Sequence, residues 1–163
     1  MSANPLYTKQ LIRDYCVLDT ETTVLSPYYD ELIEVALLRV RNDEVVAWYS
    51  QLIQPERSID PFVTLLTGIT NEMVRGMPSI SEAKDDILDF LGNDIIVGHN
   101  MSFDRRFLIS GLQVDLLNQY MDTFQFSRKL YPELEHHRLS DMTKHLGLHN
   151  KQHRALSDCI STK

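Results

Sequence analysis

The sequence lacks the features that would assign it to a membrane protein, a secreted protein or a zinc finger. No apolar run approaches the roughly 20 residues that a membrane-spanning helix needs, and residues 1–13 contain no stretch resembling a signal peptide. The two cysteines, Cys16 and Cys159, lie far apart and match no zinc-binding spacing. We therefore expect a protein of the cytoplasm, with both thiols reduced and no association with a membrane.

Positive charge is also scarce. The chain has 16 Lys and Arg residues against 23 Asp and Glu residues, a formal net charge of -7. This balance argues against a protein that coats nucleic acid electrostatically. It does not exclude an enzyme that acts on nucleic acid, because divalent ions bound by some of the carboxylates would reverse the local charge. Any contact with nucleic acid is then expected to be local and pocket-like.

The composition is that of one soluble globular domain, with 43% hydrophobic and 24% charged residues and no internal repeat. Residues 1–13 are polar and are expected to form a loose arm, and residues 14–163 the domain. Three strands are expected first, joined as an antiparallel meander over residues 15–21, 32–40 and 45–53.

The remainder of the chain favours helices with short strands between them. Asp60 followed by Pro61 is a typical helix start, and Ser79 with Glu82 three residues later has the pattern of a capping box. The apolar run at 95–97 predicts a buried strand. Further helices are expected at about 101–112, at 139–146 and from about 154 onward. Strands followed by alternating helices and strands predict an α/β fold with a mixed sheet covered by helices.

Asp19 and Glu21 are the first candidates for chemistry. Residues two apart on a strand point to the same face, and the preceding residues Cys16, Val17 and Leu18 are apolar. Two neighbouring carboxylates on a buried strand need a proton, a cation or access to water. Hard oxygen ligands in close array suit Mg²⁺ or Mn²⁺. A solvent-facing strand end with two ordinary acids fits this motif equally well.

The second candidate segment is Gly98-His99-Asn100 continuing to Asp104. Asn100 and Asp104 are four residues apart and are expected to share one helix face. Phe103 recurs with Phe107 at near-helical spacing, which favours a core position over a platform for base stacking. Because two arginines follow Asp104, its side chain belongs either to a solvated charged face or to a metal site.

The third segment runs from His153 to Asp158. Five residues of ideal helix rotate about 500°, which leaves about 140° between the two side chains. They cannot share a face of one helix, so we expect Asp158 on the helix and His153 in the loop before it. A histidine there suits general-base work on a water molecule. Alternatively, His153 is a surface residue of a polar loop.

Taken in this order, the three segments resemble the DnaQ-like 3′–5′ exonucleases of the DEDDh group, the family of the proofreading epsilon subunit of bacterial DNA polymerase III. The D-x-E motif matches Asp19-Thr20-Glu21, and the H-x-A-x-x-D motif matches His153, Ala155 and Asp158. The segments 66–70, 122–123, 138–139 and 146–148 are also similar to the family. The resemblance extends from Tyr15 to the end of the chain.

The third motif indicates the histidine subgroup. A related subgroup has Tyr four residues before the last Asp, and that position is Arg154 here. Two features depart from the family pattern. Val24 stands where the family usually has Gly, and the chain ends at Lys163, five residues after Asp158. We therefore expect a different turn after the first strand and a last helix that is short for a full-length domain.

The resemblance implies an RNase H-like fold in which a mixed sheet has three antiparallel strands plus parallel strands and is flanked by helices. It also implies two divalent ions, Mg²⁺ or Mn²⁺, held by Asp19, Glu21, Asp104 and Asp158. Asp19 would bridge the ions, Asp104 would serve mainly one, and Glu21 and Asp158 the other. His153 would take the proton from the attacking water, and the product would be a nucleoside 5′-monophosphate.

The expected substrate is nucleic acid with a free 3′ end, DNA rather than RNA, and a DNA polymerase is an expected partner. The residues expected to bind substrate are Thr20, Thr22, Leu66, Gly68, Ile69, Asn100 and Phe103. For Leu66 and Ile69, a core position is the competing interpretation. The alternatives for the whole chain are an RNA exonuclease similar to oligoribonucleases, an RNase H-type endonuclease, and a silent module that only docks onto a polymerase.

Overall fold

The computed structural model describes residues 12–23, 31–148 and 154–163. Its five strands are β1 (Tyr15–Thr22), β2 (Leu32–Arg41), β3 (Glu44–Leu52), β4 (Ile96–Gly98) and β5 (Tyr120–Asp122). They form one sheet in the order β3-β2-β1-β4-β5. The expected N-terminal arm lies outside the described residues except for Ile12 and Arg13.

The sheet is mixed. β1 and β2 are antiparallel, as are β2 and β3, whereas β4 runs parallel to β1 and β5 runs parallel to β4. The predicted α/β fold with three antiparallel strands plus parallel strands is confirmed. Strand β5 was not predicted, because it has only three residues and is partly exposed, so it carries no clear hydrophobic pattern.

Seven helices are found among the described residues: α1 (Pro61–Thr67), α2 (Asn71–Val74), α3 (Lys84–Leu91), α4 (Met101–Leu112), α5 (Thr123–Leu130), α6 (Leu139–His145) and α7 (Ala155–Thr162). Asp60 caps α1 as predicted, since its side chain accepts from the N–H of Phe62. Ser79 and Glu82 exchange hydrogen bonds as predicted, but the regular helix begins later, at Lys84. No helix in the described part of the chain is long and apolar enough to cross a membrane.

Helices cover both faces of β1, so this strand is central. On one face, Cys16 and Leu18 pack in a cluster with Phe107 of α4. On the other face, Val17 packs with Ala155 and Cys159 of α7. Fully burying an apolar side chain of this size contributes about 1.5–3 kcal/mol relative to leaving it exposed. The two clusters therefore fix α4 and α7 on opposite sides of the same strand.

The sheet order brings the three candidate segments to one edge. Parallel strands β1 and β4 end on the same side of the sheet, and α4 begins three residues after β4 ends. A third cluster packs α1 against this end of β2, through Val63, Ile69 and Ile33. Ile33 directly precedes Glu34, whose Cα is paired with that of Glu21. The carboxyl end of β1 is therefore flanked by α4 and α7, and α1 packs at the neighbouring end of β2.

Candidate active site

Asp19, Glu21 and Asp158 form a group of three carboxylates. Asp19 and Glu21 alternate along β1 on the same face as Val17, which is the face that α7 covers. Asp158 lies in the first turn of α7, where its N–H donates to the carbonyl of Arg154 at 3.0 Å. One oxygen atom from each of the three carboxylates lies within 4.8 Å of the other two. The strand and the helix thus bring together residues that are far apart in the sequence.

Asp104 approaches the same strand from α4. Its side chain is 4% exposed, and Oδ1 accepts two hydrogen bonds from Thr20, one from the backbone N–H at 3.0 Å and one from Oγ1 at 2.7 Å. Thr20 stands between Asp19 and Glu21 in the strand. Thr20 therefore fixes Asp104 beside the two carboxylates of β1, Asp19 and Glu21.

The electrostatics of the site disfavour full ionisation. Burial raises the pKa of Asp19 well above its usual range, and repulsion from Asp104, Asp158 and Glu21 raises it further. Burial and repulsion from Asp158 raise the pKa of Glu21 to about 8. Burial raises the pKa of Asp104 to about 7, although the hydrogen bonds from Thr20 oppose this shift. Without a compensating cation, burial and mutual repulsion therefore favour the protonated forms of these groups.

This donor set fits a divalent cation. All ligand atoms are carboxylate oxygens, which Mg²⁺ and Mn²⁺ prefer, and the group contains no sulfur or imidazole that would favour zinc. A dication would also stabilise the ionised forms whose repulsion raises the pKa values. The carboxylates of the described residues are therefore suited to bind a hard divalent ion, with Asp19, Glu21 and Asp158 as the primary group.

His153, the expected general base, belongs to residues 149–153, which lie outside the described part of the chain. Arg154, the next residue, is described and marks the start of α7. The role of His153 stays a prediction. Val24, the departure from the family pattern, also falls outside the described residues.

The expected substrate residues around α1 differ in exposure. Leu66 is 47% exposed, and Phe62 and Leu65 on the same helix are also exposed. Gly68 ends α1 with φ of 74°, a left-handed conformation that favours glycine. The chain reverses there and sends Ile69 into the third cluster, where its side chain is 0% exposed. Ile69 therefore has no surface with which to contact a substrate, which corrects the expectation for that residue.

Asn100 differs from expectation, whereas Phe103 follows the core interpretation. Asn100 does not lie on a helix face with Asp104, because it precedes α4 in a left-handed conformation with φ of 65°. Its backbone N–H donates to Asp122 at 2.9 Å, and its side chain is exposed. Phe103 is partly buried, with its ring 4.8 Å from that of Phe107, as the core interpretation predicted. Thr20 and Thr22 are buried, and Thr20 contacts Asp104.

Sequence reasoning missed Glu34. It is a buried carboxylate that receives hydrogen bonds from Arg154 and from the N–H of Ala155. A lone Glu inside the otherwise apolar run of β2 was the signal that could have found it, because a buried charge requires a partner. Sequence reasoning also missed the packing of His99, whose ring nitrogens lie 3.0 Å from Thr123 Oγ1 and 2.8 Å from the carbonyl oxygen of His137.

Comparison with known proteins identifies the family. The sequence profile of the RNase T exonuclease family matches residues 16–163. The chain belongs to this exonuclease family. Among the curated relatives of this exonuclease domain, DNA polymerase III PolC-type of Latilactobacillus sakei subsp. sakei strain 23K is 42% identical over 154 residues, 91% of the chain. The corresponding protein of Bacillus subtilis strain 168 is 36% identical over 154 residues. The chain spans about 11% of the length of these relatives.

Solved structures give the same result for the exonuclease domain. Exonuclease X, solved in complex with 5′ overhanging duplex DNA, superposes with a TM-score of 0.76 at 30% identity, covering 91% of this chain and 86% of that one. Exonuclease I superposes with a TM-score of 0.79 at 21% identity, covering 93% of this chain and 39% of that one, and supports the fold alone. The predicted RNase H-like exonuclease fold is confirmed.

Proposed function

We propose that this exonuclease domain removes nucleotides one at a time from the 3′ end of DNA, using two divalent ions, Mg²⁺ or Mn²⁺. The observation that supports the chemistry is the convergence of Asp19, Glu21 and Asp158 within 4.8 Å, with buried Asp104 beside them. Four carboxylates from three separate elements would hold the ions. Their mutual repulsion favours a cation over an empty site.

The reaction would be hydrolysis of the terminal phosphodiester bond. A water oxygen attacks phosphorus, the bond from phosphorus to the 3′ oxygen of the preceding nucleotide breaks, and a nucleoside 5′-monophosphate leaves. The released 3′ oxygen takes a proton from solvent water and becomes the hydroxyl of the shortened strand. When bound, the divalent ions would neutralise charge on the phosphate and favour loss of the water proton. His153 would accept that proton, and Thr20 would keep Asp104 oriented through its two hydrogen bonds.

Helix α1 supports action at a strand end. Phe62, Leu65 and Leu66 lie at positions i, i+3 and i+4, so they share one face, and all three are exposed. A separate face of α1 is anchored to the core through Val63. An exposed apolar face on a helix fixed at the end of β2, where Ile33 precedes Glu34, is suited to pack against the terminal base, while Gly68 at its end leaves room for the sugar.

The relatives favour DNA over RNA. Curated relatives are DNA polymerases of the PolC type, and Exonuclease X was solved with DNA. This chain would thus act in DNA metabolism, with a DNA polymerase as the proposed partner in proofreading.

Digestion of a 5′-labelled single-stranded DNA oligonucleotide tests the proposal. The assay is run with Mg²⁺, with Mn²⁺ and with EDTA, beside the variant Asp19→Asn and the control Asp115→Asn, which removes an exposed acid away from the cluster. We expect a ladder that shortens from the 3′ end with either metal and in the control, and no shortening in EDTA or in Asp19→Asn.

The same oligonucleotide as RNA and a closed circular DNA complete the design. Faster digestion of RNA than of DNA would indicate that RNA is the substrate. Internal cutting of the circular DNA would indicate an endonuclease instead of an exonuclease. Folded protein that cleaves none of the three substrates would refute the catalytic proposal and favour a docking module.

A further inference from the structure

Glu34 is held by three donors. Arg154 donates from Nε to Oε2 at 3.1 Å and from Nη2 to Oε1 at 2.9 Å, and the N–H of Ala155 donates to Oε2 at 3.0 Å. The Glu34 side chain is 2% exposed, whereas that of Arg154 is 42% exposed. A two-point contact between guanidinium and carboxylate fixes orientation as well as distance. The first residue of α7 therefore has a defined place on β2.

This contact lies beside the catalytic carboxylates. Glu34 is the register partner of Glu21 across β1 and β2. On the helix side, the carbonyl of Arg154 accepts from the N–H of Asp158 at 3.0 Å, so Asp158 is one turn beyond the ion pair. In the sequence, Arg154 directly follows His153. One ion pair thus connects the strand next to Glu21 with the segment that supplies Asp158 and His153.

We infer that Glu34 and Arg154 are positioning residues for the hydrolysis proposed above, holding the start of α7 where Asp158 meets Asp19 and Glu21. They also fix the backbone that follows His153. The kinetic consequence of this inference rests on the proposed function. A displacement of about 1 Å at reacting groups can lower a rate by about 10²-fold, so a loosened helix start would reduce turnover more than substrate binding.

The charges of the pair suit this position. Glu34 alone would add a fifth negative charge to the site, and its repulsion contributes to the raised pKa of Glu21, whereas Arg154 lowers that pKa. The hydrogen bond to Glu34 raises the pKa of Arg154, which keeps the guanidinium charged. As a pair, the two residues supply a fixed contact without adding net charge beside the metal ligands.

The chain contains a matched control pair on the same strand. Arg41, at the other end of β2, donates from Nη2 to both oxygens of Asp94, at 2.8 Å and 2.7 Å. This arginine–carboxylate pair is also partly buried, but a single nitrogen contacts both oxygens, and Nε of Arg39 also lies 3.4 Å from Asp94. The pair lies beside the first residues of β1, away from the carboxylate cluster. Arg41→Lys therefore reports the stability effect of weakening such a pair away from the site, and Asp94→Asn reports the loss of both arginine contacts.

The experiment compares Glu34→Gln and Arg154→Lys with the controls Asp94→Asn and Arg41→Lys. Lysine keeps the charge but loses the two-point contact. For oligonucleotide digestion, we expect kcat to fall about 10-fold in Arg154→Lys and about 10²-fold in Glu34→Gln, with KM within about threefold of the parent. The controls should lower the melting temperature to a similar extent and leave kcat unchanged. Unchanged kcat in folded Arg154→Lys would overturn the inference.

Calorimetric titration with Mn²⁺ makes the test independent of turnover. We expect Arg154→Lys and Glu34→Gln to bind Mn²⁺ at least about fivefold more weakly than the parent, because Asp158 is displaced, and the controls to bind it normally. If the parent cleaves neither DNA nor RNA, the proposed function fails and this titration alone decides the positioning role. Equal Mn²⁺ affinity in parent and Arg154→Lys would refute that role. If Glu34→Gln does not fold, the digestion assay and the Mn²⁺ titration are made on Arg154→Lys alone.

Discussion

At the scale of single residues, the carboxylates of the site repel one another electrostatically. Asp19 and Glu21 share one strand face, and Asp158 meets them from α7. Asp158 raises the pKa of both strand carboxyl groups, and Glu21 raises the pKa of Asp19. The pKa of Asp104 is raised less than burial alone would raise it, because Thr20 donates two hydrogen bonds to its carboxylate. This arrangement stores unfavourable electrostatic energy in the metal-free protein, and a bound cation would release it.

The stored repulsion makes stability depend on pH. A carboxyl group whose pKa is raised by folding binds more protons in the folded state, so the free energy of unfolding falls as pH rises through the window between the two values. For Glu21 the window runs from 4.5 to about 8, and for Asp104 from 3.8 to about 7. In EDTA, we expect the melting temperature to fall between about pH 5 and about pH 8.

The variant Glu21→Gln should show a shallower fall over this range, because the amide does not titrate, and Asp115→Asn should keep the parental slope. Thermal unfolding at a series of pH values measures both. A melting temperature that rises through the same window would contradict the pKa directions.

His153 has the sharpest residue-level prediction. As the proposed general base, its replacement in His153→Ala should lower the rate of digestion by a factor of about 10² to 10⁴, with the melting temperature unchanged. The matched control is His136→Ala, which removes an exposed imidazole whose nearest acidic contact is Glu135 at 3.9 Å. Turnover of His153→Ala close to that of the control would refute the assigned role.

At the scale of elements, the site depends on how closely β4 and α4 approach β1. A Cβ added at Gly98 would lie 2.6 Å from the sulfur of Met101 and 3.1 Å from the carbonyl oxygen of Leu18. The Met101 side chain can move, but the Leu18 carbonyl belongs to the strand that carries Asp19. Gly98 therefore permits the close contact that places α4 beside the catalytic strand.

We expect Gly98→Ala to lower the free energy of unfolding by about 1–3 kcal/mol, as overpacking of a buried contact does. Denaturant titration measures the loss, and Ser102→Ala, at an exposed position of the first turn of α4, is the control. Because the strain acts on β1, digestion should slow as well. If Gly98→Ala unfolds with the same free energy as the parent, β1 and β4 can move apart at little cost in free energy.

Helix α1 offers a separate prediction about substrate binding. Replacing Leu65 or Leu66 by Ala removes exposed apolar area, so the melting temperature should stay within about 2 °C of the parent, as expected for surface changes. If the helix packs against the terminal base, KM for the oligonucleotide should rise several-fold. Leu117→Ala, which truncates an exposed leucine elsewhere, should leave KM unchanged, and equal KM values in all three variants would exclude α1 from substrate contact.

At the scale of the whole molecule, the net charge of -7 and the acidic cluster lead us to expect that divalent ions stabilise the fold. An ion that binds only the folded state stabilises it by about 2.7 kcal/mol at 100 times its dissociation constant. For a domain of this size, we expect Mn²⁺ or Mg²⁺ to raise the melting temperature by roughly 5–10 °C. The variant Asp19→Asn should start from a higher metal-free value and gain much less, and equal gains in both proteins would place the ions elsewhere.

Much of the fold was accessible from local patterns. The alternation of Val17, Asp19 and Glu21 predicted a strand with both acids on one face, and Asp60 with Pro61 predicted the start of α1. These predictions succeeded because strand and helix periods are properties of neighbouring residues. The prediction for Asn100 was wrong because it assumed that the helical period extends back to this residue. Asn100 precedes α4 in a left-handed conformation, so the period does not include it.

By itself, the sequence determined the order of the three motifs, and with it the exonuclease family and the mixed α/β sheet. Only the tertiary structure decided that Asp104 is held by Thr20, that Ile69 is buried, and that Glu34 anchors α7. These contacts join residues that are far apart in the chain, 121 positions in the case of Glu34 and Ala155. Their distances are set by the packing of helices on both faces of β1, which no local period along the chain encodes.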